Sequence, residues 1–114
     1  MAAPTIDFLR GTLDLIVLKT LSWGPSHGYA IARWIEQCTA DAFAVEEGSL
    51  YPALYRLEEH GLIRADWGMT ENNRRAKFYR LTPAGKKELR ASQDYWHRYS
   101  AAVSKLLVTA PQGA

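Results

Sequence analysis

The chain has 114 residues, 47% of them hydrophobic and 23% charged, a balance ordinary for one soluble globular domain with a modest core. Cys38 is the only cysteine, which excludes an intramolecular disulfide, and His27, His60 and His97 lack metal-ligand spacing, so neither a metal nor a cofactor is expected. Net charge is only +2, yet residues 70–90 hold seven cations (Arg74, Arg75, Lys77, Arg80, Lys86, Lys87, Arg90) against Glu71 and Glu88; such a block suits an anionic partner or a solvated surface.

The opening "MAAPTIDFLR" lacks the charged head and apolar run of a signal peptide. The longest apolar stretch, "LIVL", is too short to span a bilayer. A cytoplasmic protein without a membrane segment is expected. "GTLDLIVLKTLSW" predicts a first helix over about 11–22. Leu13, Ile16, Val17 and Leu21 form one face, while Leu15 and Leu18 make the opposite side apolar too. Such a helix is buried on two sides, and the second cover is expected from another chain.

"GPS" breaks the chain, and Ser26 is the expected cap of a second helix, "HGYAIARWIEQC", with Ile31, Ile35 and Cys38 inward. "AFAV" reads as a short extended stretch. A third helix follows over about 49–60 in "EEGSLYPALYRLEEHGLI", with Leu50, Leu54 and Leu57 inward and Gly61 as its stop. Ser49 is the expected N-cap, which would put Pro52 at the third helical position, where a missing amide costs little. Ser49, Pro52, Tyr55 and Arg56 then face outward, with Tyr51 at the flank and an acid-free first turn. Arg56 is left either to reach outward to a partner or to pair with Glu59 one turn on.

"LIRADWGM" and "RRAKFYRL", joined by "TENN", predict a β-hairpin, because Asn tolerates positive φ. Ile63, Ala65 and Trp67 share one face of it. "LTPAGKKEL" opens a last helix with Thr82 as N-cap and Pro83 at the first position, running to about residue 107. Leu89, Trp96 and Val103 are seven apart, and Tyr99 and Leu106 extend them into an a/d seam. The final "TAPQGA" is expected to fray. "GPSHG" matches the G-x-S-x-G elbow of hydrolases, but a helix precedes it and the chain is too short for the required sheet, so an enzyme is not expected.

The fold class that results is mainly α with a small β-hairpin: a winged helix-turn-helix over residues 1–82, a long C-terminal dimerisation helix over 83–108 and a tail over 109–114. In that architecture the third helix enters a DNA major groove and the basic hairpin, here carrying Arg74, Arg75 and Lys77, reaches backbone or minor groove. A winged helix that binds protein and not DNA is the alternative, since fold does not fix function.

The segments "GTLDLIVLKTL", "GPSHGYAI", "EEGSLYPALYRLEEHGLI" and "RRAKFYRLTPAGKKEL" resemble the PadR family of bacterial transcriptional regulators, in order and over most of residues 11–90. The resemblance implies a homodimeric repressor that binds an inverted repeat in double-stranded DNA. It implies DNA contacts from Tyr29, Ser49, Tyr51 and Pro52, with Tyr55 and Arg56 on the same helix, and a basic wing of Arg74, Arg75 and Lys77. It also implies a dimer in which the last helix joins the partner's first helix, through Leu13, Val17, Leu89, Trp96, Tyr99, Val103 and Leu106. Some members release DNA on binding phenolic acids or flat, often cationic drugs, and Trp96 is placed to stack on such an effector.

Overall fold

The computed structural model describes Phe8 and residues 11–112. The signal-peptide reading of "MAAPTIDFLR" and the last residues of the expected tail lie outside them. The elements run α1 (Thr12–Leu21), β1 (Ser26–His27), α2 (Gly28–Cys38), α3 (Glu47–Glu59), β2 (Ile63–Met69), β3 (Arg75–Leu81) and α4 (Pro83–Val108). Among the described residues no helix is long and apolar enough to cross a membrane.

α1 lies at the centre and packs on α2, α3, α4 and β3. Leu13, Val17, Leu18 and Leu21 are buried, and the buried Thr20 hydroxyl satisfies itself by donating to the Ile16 carbonyl at 2.9 Å. Each such apolar side chain contributes about 1.5–3 kcal/mol on burial. The two-sided apolarity of α1 is therefore met largely within one chain. Leu13 and Val17, expected at a dimer interface, belong to the chain's own core: Val17 is 0% exposed. The remaining core comes from Ile31, Ile35, Leu50, Ala53, Leu54, Leu57, Ile63, Tyr79 and Leu89.

The sheet has the order β1-β3-β2, all antiparallel. The short extended element is thus Ser26–His27, and "AFAV" is a loop. Its amides are used locally: Phe43 N donates to Thr39 Oγ1 at 3.3 Å and Val45 N to the Glu36 carboxylate at 3.1 Å. His27, not Ser26, caps α2, its Nδ1 accepting from Ala30 N at 3.4 Å. Cys38 is exposed, one turn beyond the buried Ile35, because α2 ends there and nothing packs over its last residue.

α3 starts earlier than its serine suggests. Glu46 is the N-cap, and its carbonyl accepts from Ser49 N at 3.0 Å and Leu50 N at 2.9 Å. Glu47 therefore stands in the first turn, which is not acid-free, and Pro52 is inside the helix. Pro52 withholds the amide that would reach the Gly48 carbonyl; both residues are exposed, so water can replace the bond. At the other end Gly61, at φ 71°, closes α3, with Leu62 N donating to the Leu57 carbonyl at 2.9 Å and Gly61 N to that of Glu58 at 3.0 Å. That is a Schellman stop, the role expected of Gly61.

The hairpin turn uses Asn73 at φ 62°, with Thr70 N bonded to the Arg74 carbonyl at 2.8 Å. Thr82 caps α4, accepting from Gly85 N at 3.0 Å and donating to the Gly61 carbonyl at 2.7 Å. A Cβ on Gly85 would overlap the Leu62 carbonyl oxygen, so only glycine lets α4 leave the sheet this closely. α4 has 26 residues. Its first half packs on α1 through Leu89; every residue from 101 to 112 is exposed.

Replacing Pro52 by alanine restores the missing amide at an exposed position. Pro52→Ala should gain about 1–3 kcal/mol of stability and raise the melting temperature followed by circular dichroism; a lower melting temperature would show that the pyrrolidine ring packs.

Candidate nucleic-acid interface

β3 pairs with β1 on one side and β2 on the other, which brings the start of α2 beside the hairpin. Between them lies an open groove of about 1280 Å³. Tyr29, Tyr51, Arg74, Arg75 and Lys77 all line it. Ser49, Pro52, Tyr55 and Arg56 do not; they sit exposed along α3, outside the groove.

Tyr51 is seated by a glycine. A Cβ at Gly28, the first residue of α2, would stand 2.6 Å from the Tyr51 Oη, so the phenol ring lies over the helix start in a position it would have to leave if residue 28 carried a side chain. His27 beside it meets Phe78 edge to face, with centroids 5.3 Å apart. Beneath them, burial raises the pKa of Tyr79 above its ordinary value, with Glu58 and then Tyr51 adding to the shift, so its hydroxyl stays neutral.

Three arginines are held by carboxylates. Arg33 pairs with Glu36 at 3.3 Å, Arg80 with Asp66 at 3.6 Å and Arg56 with Asp14 at 2.9 Å. Arg56 therefore braces α3 against α1. Glu59, its expected partner, instead accepts from the Tyr55 hydroxyl at 3.1 Å, four residues back on the same helix. Arg74, Arg75 and Lys77 have no carboxylate partner among the described residues; Arg75 and Lys77 lie over the Trp67 ring at 4.7 and 5.8 Å. Trp67, Arg33 and Trp34 also line the groove, although sequence reasoning gave them no role there. The alternation of β2 put Trp67 on the inward face, and the charge of Arg33 was the available signal for α2.

A second groove, of about 860 Å³, separates α1 from α4 and is lined by Asp14, Leu15, His60, Glu88, Tyr95, Trp96 and Tyr99, among others. Trp96 is half-buried there, while Tyr99, Val103 and Leu106 are exposed. Among the described residues no cluster of His, Cys, Asp and Glu could hold a metal ion. Ser26 Oγ is engaged only with the His27 carbonyl, at 3.5 Å, and has no catalytic base.

The model of the "Transcriptional regulator PadR-like family" matches residues 17–91, a stretch holding α2, α3 and the whole hairpin. The chain belongs to the PadR-like family of transcriptional regulators. It is 32% identical over 84 residues to the transcriptional regulator Rv3488 of Mycobacterium tuberculosis, covering 73% of this chain and 74% of that protein. It is 33% identical over 90 residues to uncharacterized protein X of Lysinibacillus sphaericus, covering 79% and 83%. Among solved structures, a transcriptional regulator from Clostridium thermocellum is 34% identical with a TM-score of 0.77, over 84% of this chain and 93% of that one. A PadR family transcriptional regulator from Eggerthella lenta is 35% identical with a TM-score of 0.75, over 89% and 86%. As a PadR-like protein the chain is a transcriptional regulator and not an enzyme.

The seat of Tyr51 can be tested by a double-mutant cycle. Gly28→Ala should push the exposed Tyr51 ring from its seat at a cost of at most about 1 kcal/mol. In a Tyr51→Ala background the same change should be neutral or stabilising, since alanine suits a helix better than glycine. Equal losses of melting temperature in both backgrounds would show that the clash lies elsewhere.

Proposed function

We propose that this PadR-like regulator is a cytoplasmic homodimeric repressor that binds an inverted-repeat operator in duplex DNA. The observation that carries the reading is the groove between α2 and the hairpin, with Arg74, Arg75 and Lys77 exposed and unneutralised on one wall. Tyr29 and Tyr51 offer hydroxyls on the other wall, 71% and 46% exposed. Ser49, Pro52 and Tyr55 give α3 a face of short and aromatic side chains for the major groove, with Arg56 reaching bases only after leaving Asp14. Residues 1–82 act as the DNA-binding unit and 83–108 as the dimerisation helix, with 109–114 as a tail.

Dimerisation is supported by the apolar stripe of α4. Leu106 and Leu107 are 77% and 79% exposed, beyond anything the chain's own body covers. Trp96, Tyr99, Val103 and Leu106 present one side of a seam, and a second copy is the cover that a repeating a/d pattern suits. Leu89, expected in the same seam, belongs to the chain's own core, 7% exposed. The groove between α1 and α4 suits a small aromatic effector, since Trp96 and two tyrosines line it.

Affinity for operator DNA should fall steeply with salt, and Arg74→Ala with Lys77→Ala should flatten the log–log slope by about two units or more in the dimer. Absence of salt-dependent duplex binding would favour a protein-binding winged helix. Trp96→Asp should give a folded monomer by sedimentation velocity, with circular dichroism reporting the fold; a dimer that persists would move the interface off α4.

A further inference from the structure

Trp67 shares a strand face with the buried Ile63, yet it is 59% exposed. The register explains this. Ile63 pairs with Leu81 and Ala65 with Tyr79, but Trp67 pairs with Lys77, where the hairpin has run past the helices. What the indole touches there is charge: Arg75 Cζ lies 4.7 Å and Lys77 Nζ 5.8 Å from its centroid. Lys77 is directly opposite Trp67, and Arg75 is two pairs along on the same face, opposite Met69.

The other face of the same two strands makes the contrast. There Asp66 takes Arg80 as a surface ion pair at 3.6 Å, which sets a carboxylate beside the guanidinium and offsets its charge. An aromatic ring orders cations through its quadrupole and leaves their charge whole. The hairpin thus holds Arg80 on one face and Arg75 with Lys77 on the other by different means, and the pair on the groove side keeps its charge unneutralised.

We propose that Trp67 is a positioning residue of the wing, holding Arg75 and Lys77 extended into the groove with their charge intact for a sugar-phosphate strand. The inference rests on the DNA-binding reading and deepens it: the wing's cations are preordered, so less side-chain entropy is lost when phosphate arrives.

The test has one arm without DNA and one with it. In the free protein, nuclear magnetic resonance should show the side-chain protons of Arg75 and Lys77 shifted upfield by the indole ring current, and Trp67→Leu should abolish the shifts. With operator duplex, Trp67→Leu should weaken binding about fivefold or more for a dimer using both wings, while Trp67→Phe stays within about twofold. The salt slope should match wild type in both variants, because no cation has been removed. A free protein without ring-current shifts overturns the inference, as does a Trp67→Leu variant that binds like wild type or a Trp67→Phe variant as weak as the leucine. Shifts present in a wild-type protein that binds no duplex would instead remove the DNA reading, and with it the purpose of the stack.

Discussion

The burial of most of α1 is the constraint from which the rest of the molecule follows. Its apolar residues do not form a single stripe, so one neighbouring layer cannot cover them. α2, α3, α4 and β3 each take part of its circumference. Because α1 fills the middle, the other helices are held at fixed angles around it, and the sheet must close the remaining side. Arg56 and Asp14 add a polar brace at the rim of the same packing, 2.9 Å apart and partly exposed; its contribution to stability is small, at most about 1 kcal/mol, but it holds a long side chain of α3 against the central helix.

β3 then converts that core into a surface. It pairs with β1, which leads directly into α2, and with β2, which follows α3. One strand therefore sets the distance between the helix starts and the hairpin, and the groove is the space left between them. Two glycines mark close approaches: the tip of Tyr51 lies over Gly28, and Gly85 stands against the Leu62 carbonyl. The second also sets the direction of α4, whose far half leaves the body with its apolar side chains uncovered.

Charge is sorted by the same geometry. Arg33, Arg56 and Arg80 have acidic partners, while Arg75 and Lys77 at the hairpin's groove side have an indole. Net charge alone, at +2, conceals this division. It appears once the register of β2 and β3 is known, because a shift of one residue would exchange Asp66 and Trp67 between the faces.

Local chemistry made several features legible in advance. Gly61 and Asn73 take the positive φ their types allow, and Thr82 with Pro83 starts α4, because caps and turns are decided by a few adjacent residues. The periodic leucines located the core faces of α1 and α3, and the order of elements with the family's motifs indicated the fold. What depended on distant partners was not legible. Ser49 has the chemistry of a cap, but Glu46 already accepts the first helical bonds, which leaves Pro52 inside the helix. Leu13 and Val17 looked available to a partner until the chain's own helices enclosed them, and Cys38 looked buried on a face that ends before it. Glu59 was the near partner for Arg56, but Asp14 is 42 residues away and closer in space. The sequence by itself determined the elements, their ends where glycine, asparagine or threonine acts locally, and the family. Only the tertiary structure decided which faces are covered, which cations are neutralised and where the groove opens, because burial and ion pairing are set by through-space distance, which residue spacing does not encode across separate elements.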